Sequence, residues 1–172
     1  VNDPNLFMDF EGFVDLSRKE FKYDFHTKID YANLKKLNFM NDSISVFKGD
    51  IQMKVTGNSF DDLSGIVKIS QTAYHNDREN YIFDDFTIES SFDEDKVRTI
   101  TINSPDIIEG KIVGKYQFAQ LPRMVENAAG SLYANYTPNK VKPGQYLRFN
   151  FTVYNKIVGI FLPEVEIGTN TA

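Results

Sequence analysis

The side chains able to do chemistry in this chain are few and scattered. Two histidines, His26 and His75, occur with no cysteine anywhere among 172 residues, so a metal centre would need carboxylates gathered around one imidazole. His26 falls on the polar side of an alternating segment and His75 at the end of another, where a solvated imidazole is the expectation. Acidic residues cluster as Asp61-Asp62, Asp84-Asp85 and Asp93-Glu94-Asp95. Such clusters could in principle hold the acid and base of a glycosidase, but paired carboxylates carry no spacing signature and these lie in turn-forming text. Asp93-Glu94-Asp95 also lacks the alternating ligands and central glycine of a helix-loop-helix calcium site. There is no Gly-x-Ser-x-Gly elbow, no glycine loop for phosphate and no His-Glu-x-x-His. The expectation is therefore a protein without catalytic residues, metal or cofactor.

The elements that carry these residues must come from an ordinary folding composition: 41% hydrophobic, 25% charged. No apolar run approaches the ~20 residues that a membrane-spanning helix requires. A net charge of -5 repels a phosphate backbone and argues against nucleic acid as partner. Fifteen Phe and nine Tyr, with no Trp, demand either a thick core or an apolar surface with a task.

Alternation dominates the chain. Phe10, Val14 and Leu16 share even positions with Leu6 and Met8, while Asp9, Glu11 and Asp15 fall between them. Phe21, Tyr23, Phe25, Ile29 and Tyr31 then alternate with Lys22, Asp24, His26, Lys28 and Asp30, which predicts a hairpin through Ser17-Arg18-Lys19. The same rule holds for Ile51, Met53 and Val55; for Val67 and Ile69; for Phe86, Ile88 and Phe92; and for Ile100 and Ile102. It continues through Ile112, Tyr116 and Phe118, then Leu147, Phe149, Phe151 and Val153, predicting at least eight strands in an antiparallel meander. Apolar parity switches across Asp84-Asp85, which implies a bulge or turn there. One segment changes period: Leu121, Met124, Val125, Ala128, Leu132 and Tyr136 predict an amphipathic helix over 121–136, about four turns long, behind Pro122. Shorter helical turns are expected near Ala32 to Leu37 and at Phe60-Asp61-Asp62-Leu63.

A glycine recurs at matched positions in the pattern apolar-x-Gly-x-apolar-x-apolar: Gly12, Gly49, Gly65 and Gly110, with a partial copy at Gly159. Glycine on the apolar side of a strand leaves nothing to pack and marks a bend, a bulge or a close backbone approach. One such glycine relieves crowding; four together point to a strongly curved sheet. Eight or more strands with one apolar face each, and a single helix to cover them, leave two outcomes: the sheet closes on itself, or part of its face stays open for a ligand or partner. The predicted fold is mainly β, a strongly curved antiparallel sheet with one amphipathic helix.

Three stretches carry a resemblance: Phe10-Glu11-Gly12-Phe13-Val14-Asp15-Leu16, Ile29-Asp30-Tyr31-Ala32-Asn33-Leu34, and Val55-Thr56-Gly57-Asn58-Ser59-Phe60-Asp61-Asp62-Leu63-Ser64-Gly65. Together with Ile100-Thr101-Ile102-Asn103-Ser104-Pro105-Asp106 and Glu109-Gly110-Lys111-Ile112-Val113-Gly114, they resemble the repeat text of the TamB and AsmA-like family, its Bacteroidetes branch in particular. The likeness runs from about Leu6 to Leu162. It implies a periplasmic scaffold anchored in the inner membrane by an N-terminal helix, an elongated curved antiparallel sheet of half-pipe or taco shape whose open apolar groove carries phospholipid acyl chains toward the outer membrane. It also implies neighbouring repeats of the same chain and an outer-membrane barrel partner of the TamA type. On this reading residues 1–172 are a single groove segment excised from a longer protein. The expected groove lining is Phe10, Val14, Leu16, Phe21, Tyr23, Phe25, Ile29, Ile51, Met53, Val55, Val67, Ile69, Phe86, Ile88, Ile112, Tyr116, Phe149 and Phe151. The helix would plug one end of the groove or act as its gate. The alternatives are a closed sandwich or barrel serving as an interaction or adhesion module, and a carbohydrate-active enzyme whose turn carboxylates converge.

Overall fold

The structure, a computed structural model, describes residues 2–40 and 43–154. The alternating segments become β1 (Asn2–Asp3), β2 (Leu6–Asp15), β3 (Lys22–Asn33), β4 (Ser45–Thr56), β5 (Ser64–Asn76), β6 (Asn80–Phe83), β7 (Phe86–Phe92), β8 (Arg98–Ser104), β9 (Ile108–Lys115) and β10 (Tyr146–Val153). They form one antiparallel sheet in the order β1-β2-β3-β4-β5-β7-β8-β9-β10, a meander whose outermost described strands are β1 and β10; these two do not pair, so the described sheet is not closed into a barrel. The remaining strand completes a broken rung. Along one edge of β5, residues 65–69 pair with β7 and residues 72–75 with β6, so the two short strands are one line interrupted at Asp84-Asp85, where the sequence parity switches.

Two further parity switches are not legible in the alternation. Between β3 and β4, Ile29 opposes Gly49 and Ala32 opposes Phe47, so one extra residue is accommodated in β3. That bulge carries Tyr31 into register with Phe7, off the face of Ile29, and puts Ala32 in its place. In β5, Lys48 opposes Ala73 while Asp50 opposes Ser70, with Gln71 between them at φ +51°. This second bulge lets odd-numbered Val67 and Ile69 share a face with even-numbered Thr72 and Tyr74.

Register then lines up the apolar positions across the whole sheet. One cross-strand row reads Val14, Tyr23, Val55, Gly65, Ser90, Ile100, Ile112 and Phe149. The next reads Gly12, Phe25, Met53, Val67, Ile88, Ile102, Gly110 and Phe151, and a third reads Phe10, Thr27, Ile51, Ile69 and Phe86. The matched glycines therefore sit on this face, and each is crowded by a neighbouring strand or ring. A Cβ on Gly65 (φ +129°) would strike the Lys54 carbonyl, and one on Gly12 (φ +139°) would strike the backbone of Asp24 and Phe25. A Cβ on Gly110 would meet Asn150 and Phe151, whereas Gly49 lies under the Phe47 ring.

The helix is shorter than the period predicts. Helix α1 spans Leu121–Gly130, and residues 131–136 turn back over its end. The ring of Tyr136 occupies the place of a side chain on Gly130, and its hydroxyl donates to Asn127 Oδ1 at 2.9 Å. This return fold sets the end of the helix. The expected turn after Ala32 is present with Leu37 N donating to the Asn33 carbonyl, and the expected turn at 60–63 lies within the β4–β5 loop. The partial glycine motif around Gly159 lies outside the described residues.

Candidate functional site

The apolar face is the feature built by the most residues. Among the described residues the buried hydrophobic side chains are only Ala32, Tyr74, Ile100 and Tyr116. Phe10 is 50% exposed and Phe149 62%, although both stand in the cross-strand rows. Among the described elements the extensive approaches are between sheet neighbours and between α1 and the 3-10 turn (Phe118–Gln120) before it, and Gly130 is the helix residue that is buried. No second layer of strands or helices is laid over the face among the described residues. Phe10 and Phe25 stack across strands at 5.1 Å, as do Phe149 and Phe151 along β10 at 6.0 Å, so the aromatic side chains cluster in place of a covering layer.

Most of the predicted lining residues lie in the strands on this face, and three lie past the strand ends. Leu16 and Phe21 fall in the β2–β3 hairpin beyond the strand ends, where Asp15 draws the chain round by accepting Ser17 N at 3.0 Å and Arg18 Nε at 2.7 Å. Hydrogen bonds from Ser17 hold the Asp15 carboxyl below its ordinary range. Tyr116 follows β9, is buried, and packs edge-on against Phe118 at 5.8 Å.

At the hairpin end the face is covered, by a cluster that alternation alone does not reveal. Arg98 stands on the apolar parity of β8 with Ile100 and Ile102, and it is 4% exposed. Its guanidinium donates to the carbonyls of Phe60 (2.7 Å) and Leu63 (2.9 Å) and to Ser90 Oγ (3.0 Å). The rings of Phe92 and Phe118 lie against it, with centroids at 5.3 and 4.8 Å. Among the described residues no carboxylate comes within ion-pair distance of Arg98. Burial lowers its pKa from the usual guanidinium value, and burial raises that of Tyr116. The sequence signal was available: a cation at a strand position whose period requires an apolar residue.

The β4–β5 loop, residues 57–63, is the cover. Asp62 Oδ1 accepts Asn58 N (2.9 Å) and Ser59 N (2.6 Å); desolvation of that carboxyl is outweighed by these amides, and its pKa is lowered. Asp61 Oδ1 accepts Phe118 N at 2.7 Å, and Asn58 bridges to the first hairpin through Lys19 O and Phe21 N. Beneath the loop remains a pocket of about 500 Å³, lined by Tyr23, Met53, Val55, Phe60, Leu63 and Val67 among others.

The opposite face is polar. His26 Nε2 lies 2.7 Å from Asp50 Oδ2, Lys54 Nζ lies 3.7 Å from Asp24, and Lys68 Nζ lies 2.8 Å from Asp85. These pairs surround a shallow depression of about 410 Å³ whose lining includes Glu11, His26 and Lys68. The acidic clusters are employed separately: Asp61 and Asp62 in the loop, Asp85 on Lys68, and Asp93 accepting Val97 N at 2.8 Å to close the β7–β8 turn. No group of three or more potential metal ligands gathers among the described residues, and no described helix is long and apolar enough to cross a membrane.

Comparison with known proteins adds no family: no family model, curated protein or solved structure matches the chain.

Proposed function

We propose that this chain is a segment of a lipid-conducting scaffold, whose uncovered apolar face receives phospholipid acyl chains. The observation that carries the reading is the apolar register that runs from β2 to β10, unbroken in the second row, with no second layer of strands or helices above it among the described residues. An exposed face of this width needs an occupant, because folded chains rarely leave large apolar patches to water. A flexible acyl chain suits it, since contact along the rows requires no directional partner and the face offers few polar groups. The glycines that let strands approach closely, Gly12, Gly65 and Gly110, support a sheet curved into a half-pipe groove.

The outermost described strands, β1 and β10, suit continuation of the sheet by neighbouring repeats of a longer chain. The resemblance to the TamB and AsmA-like family supplies the setting: the periplasm, transport between inner and outer membranes, and a barrel partner of the TamA type. Extraction of a fluorescent phosphatidylethanolamine from vesicles tests the reading. The protein should take up the lipid, and Phe25→Asp, which puts a charge in the middle of the second row, should abolish uptake. A wild-type protein that leaves all label in the vesicles would sink the proposal.

A further inference from the structure

The covered end of the apolar face has a shape that a purely structural loop does not need. Loop 57–63 is internally tied by Asp62 and begins at Gly57 (φ +139°), where a Cβ would meet the Asp62 carbonyl. It is fastened outward at three places: Asn58 to the first hairpin, Asp61 to Phe118 N, and the carbonyls of Phe60 and Leu63 to Arg98. Yet its largest side chain does not fill the space it roofs. Phe60 is 76% exposed, and the pocket of about 500 Å³ stays open between Leu63 and the strand residues Tyr23, Val55 and Val67. A buried guanidinium holding two main-chain carbonyls is a strong fastening, because its donors have fixed geometry and water is excluded.

We propose that loop 57–63 is an end-stop latched by Arg98, and that the pocket beneath it seats the methyl end of one unbranched acyl chain. This rests on the acyl-chain reading above and deepens it with a place and a polarity. The pocket's strand residues continue the cross-strand rows of the face, so a chain lying along Ile51 and Ile69 runs directly to Val55 and Val67. Its lining is apolar apart from Asn58 and Ser59 and holds no charged side chain, so it accepts a hydrocarbon terminus and rejects a charged headgroup, and the carboxyl or headgroup end must lie away from the hairpins.

Methyl NMR with two nitroxide-labelled stearates tests this on the wild-type protein. Stearate labelled at carbon 16 should broaden the methyls of Val55, Leu63 and Val67 at least threefold more than those of Ile51 and Ile69. Stearate labelled at carbon 5 should reverse that order. Arg98→Gln should erase the difference between labels and speed amide exchange at Asp62 and Leu63, and Leu63→Trp, which fills the pocket, should remove the carbon-16 effect. If both labels broaden the face equally in the wild type, the end-stop is overturned while acyl binding stands. If neither label broadens any methyl on the face, the end-stop and the acyl-chain reading fail together.

Discussion

Two regions of the apolar face, the β2 margin and the part of β8 under the β4–β5 loop, obey the same alternation and reach opposite outcomes. At the β2 margin, Phe10 and Val14 point from a regular strand and stay about half exposed. On β8, Arg98 is 4% exposed because the β4–β5 loop is folded over it and held by main-chain hydrogen bonds, and Ile100, two residues along the same face, is 7% exposed. The difference teaches that apolar residues on this sheet are not buried by default. They are buried where polar fastenings bring a cover to them, and elsewhere the face is left open.

Substitutions can break that contrast, beginning where the effect is largest. Arg98→Ala leaves the Phe60 carbonyl and Ser90 Oγ without their guanidinium donor and the Leu63 carbonyl with Ser90 Oγ alone, and urea unfolding should show a loss of about 3 kcal/mol. A cost below about 1 kcal/mol, within the range of ordinary surface changes, would mean the cover is not held by this residue. Gly65→Val places a branched side chain against the Lys54 carbonyl at φ +129°, for an expected loss of about 2–3 kcal/mol. By contrast Gly144, with open space around its Cβ position, should tolerate Ala at about 1 kcal/mol despite its φ of +78°. Phe10→Ala, on the uncovered margin, should cost about 1 kcal/mol, well short of the 3–5 kcal/mol typical of a core phenylalanine.

The smallest effect concerns pH. Burial raises the pKa of Tyr116, so the folded state holds this proton more tightly than the unfolded chain. Its contribution to stability is complete below the unfolded tyrosine value of about 10 and declines as pH rises through the folded value. Urea midpoints measured across pH 9 to 11 should fall in the wild type more steeply than in Tyr116→Phe. Parallel slopes would show that this phenol does not report burial of the covered end.

Much of this architecture was legible because alternation is a direct record of a half-buried strand. The hairpin at 16–21, the meander and the break at Asp84-Asp85 all follow from parity and turn residues. The bulges at Asp30 and Gln71 were not legible, since neither residue is a glycine and the compensating shift lies on a partner strand. Helix periodicity overreached to Tyr136 because that residue does contact the helix, but from a return turn that packs its ring on Gly130. Leu16 and Phe21 keep the parity of their strands one step past the ends, where the Asp15 turn takes over. The latch escaped notice because its fastenings are carbonyls, which have no residue signature, although Arg98 in an apolar slot marked the place.

Native mass spectrometry of the purified protein, coupled to lipid extraction, addresses the open face most directly. Phospholipid should copurify with the wild-type protein and be lost from Phe25→Asp while the fold, checked by its far-ultraviolet spectrum, persists. A lipid-free wild-type mass together with a cooperative melt unchanged by added phospholipid would contradict the account.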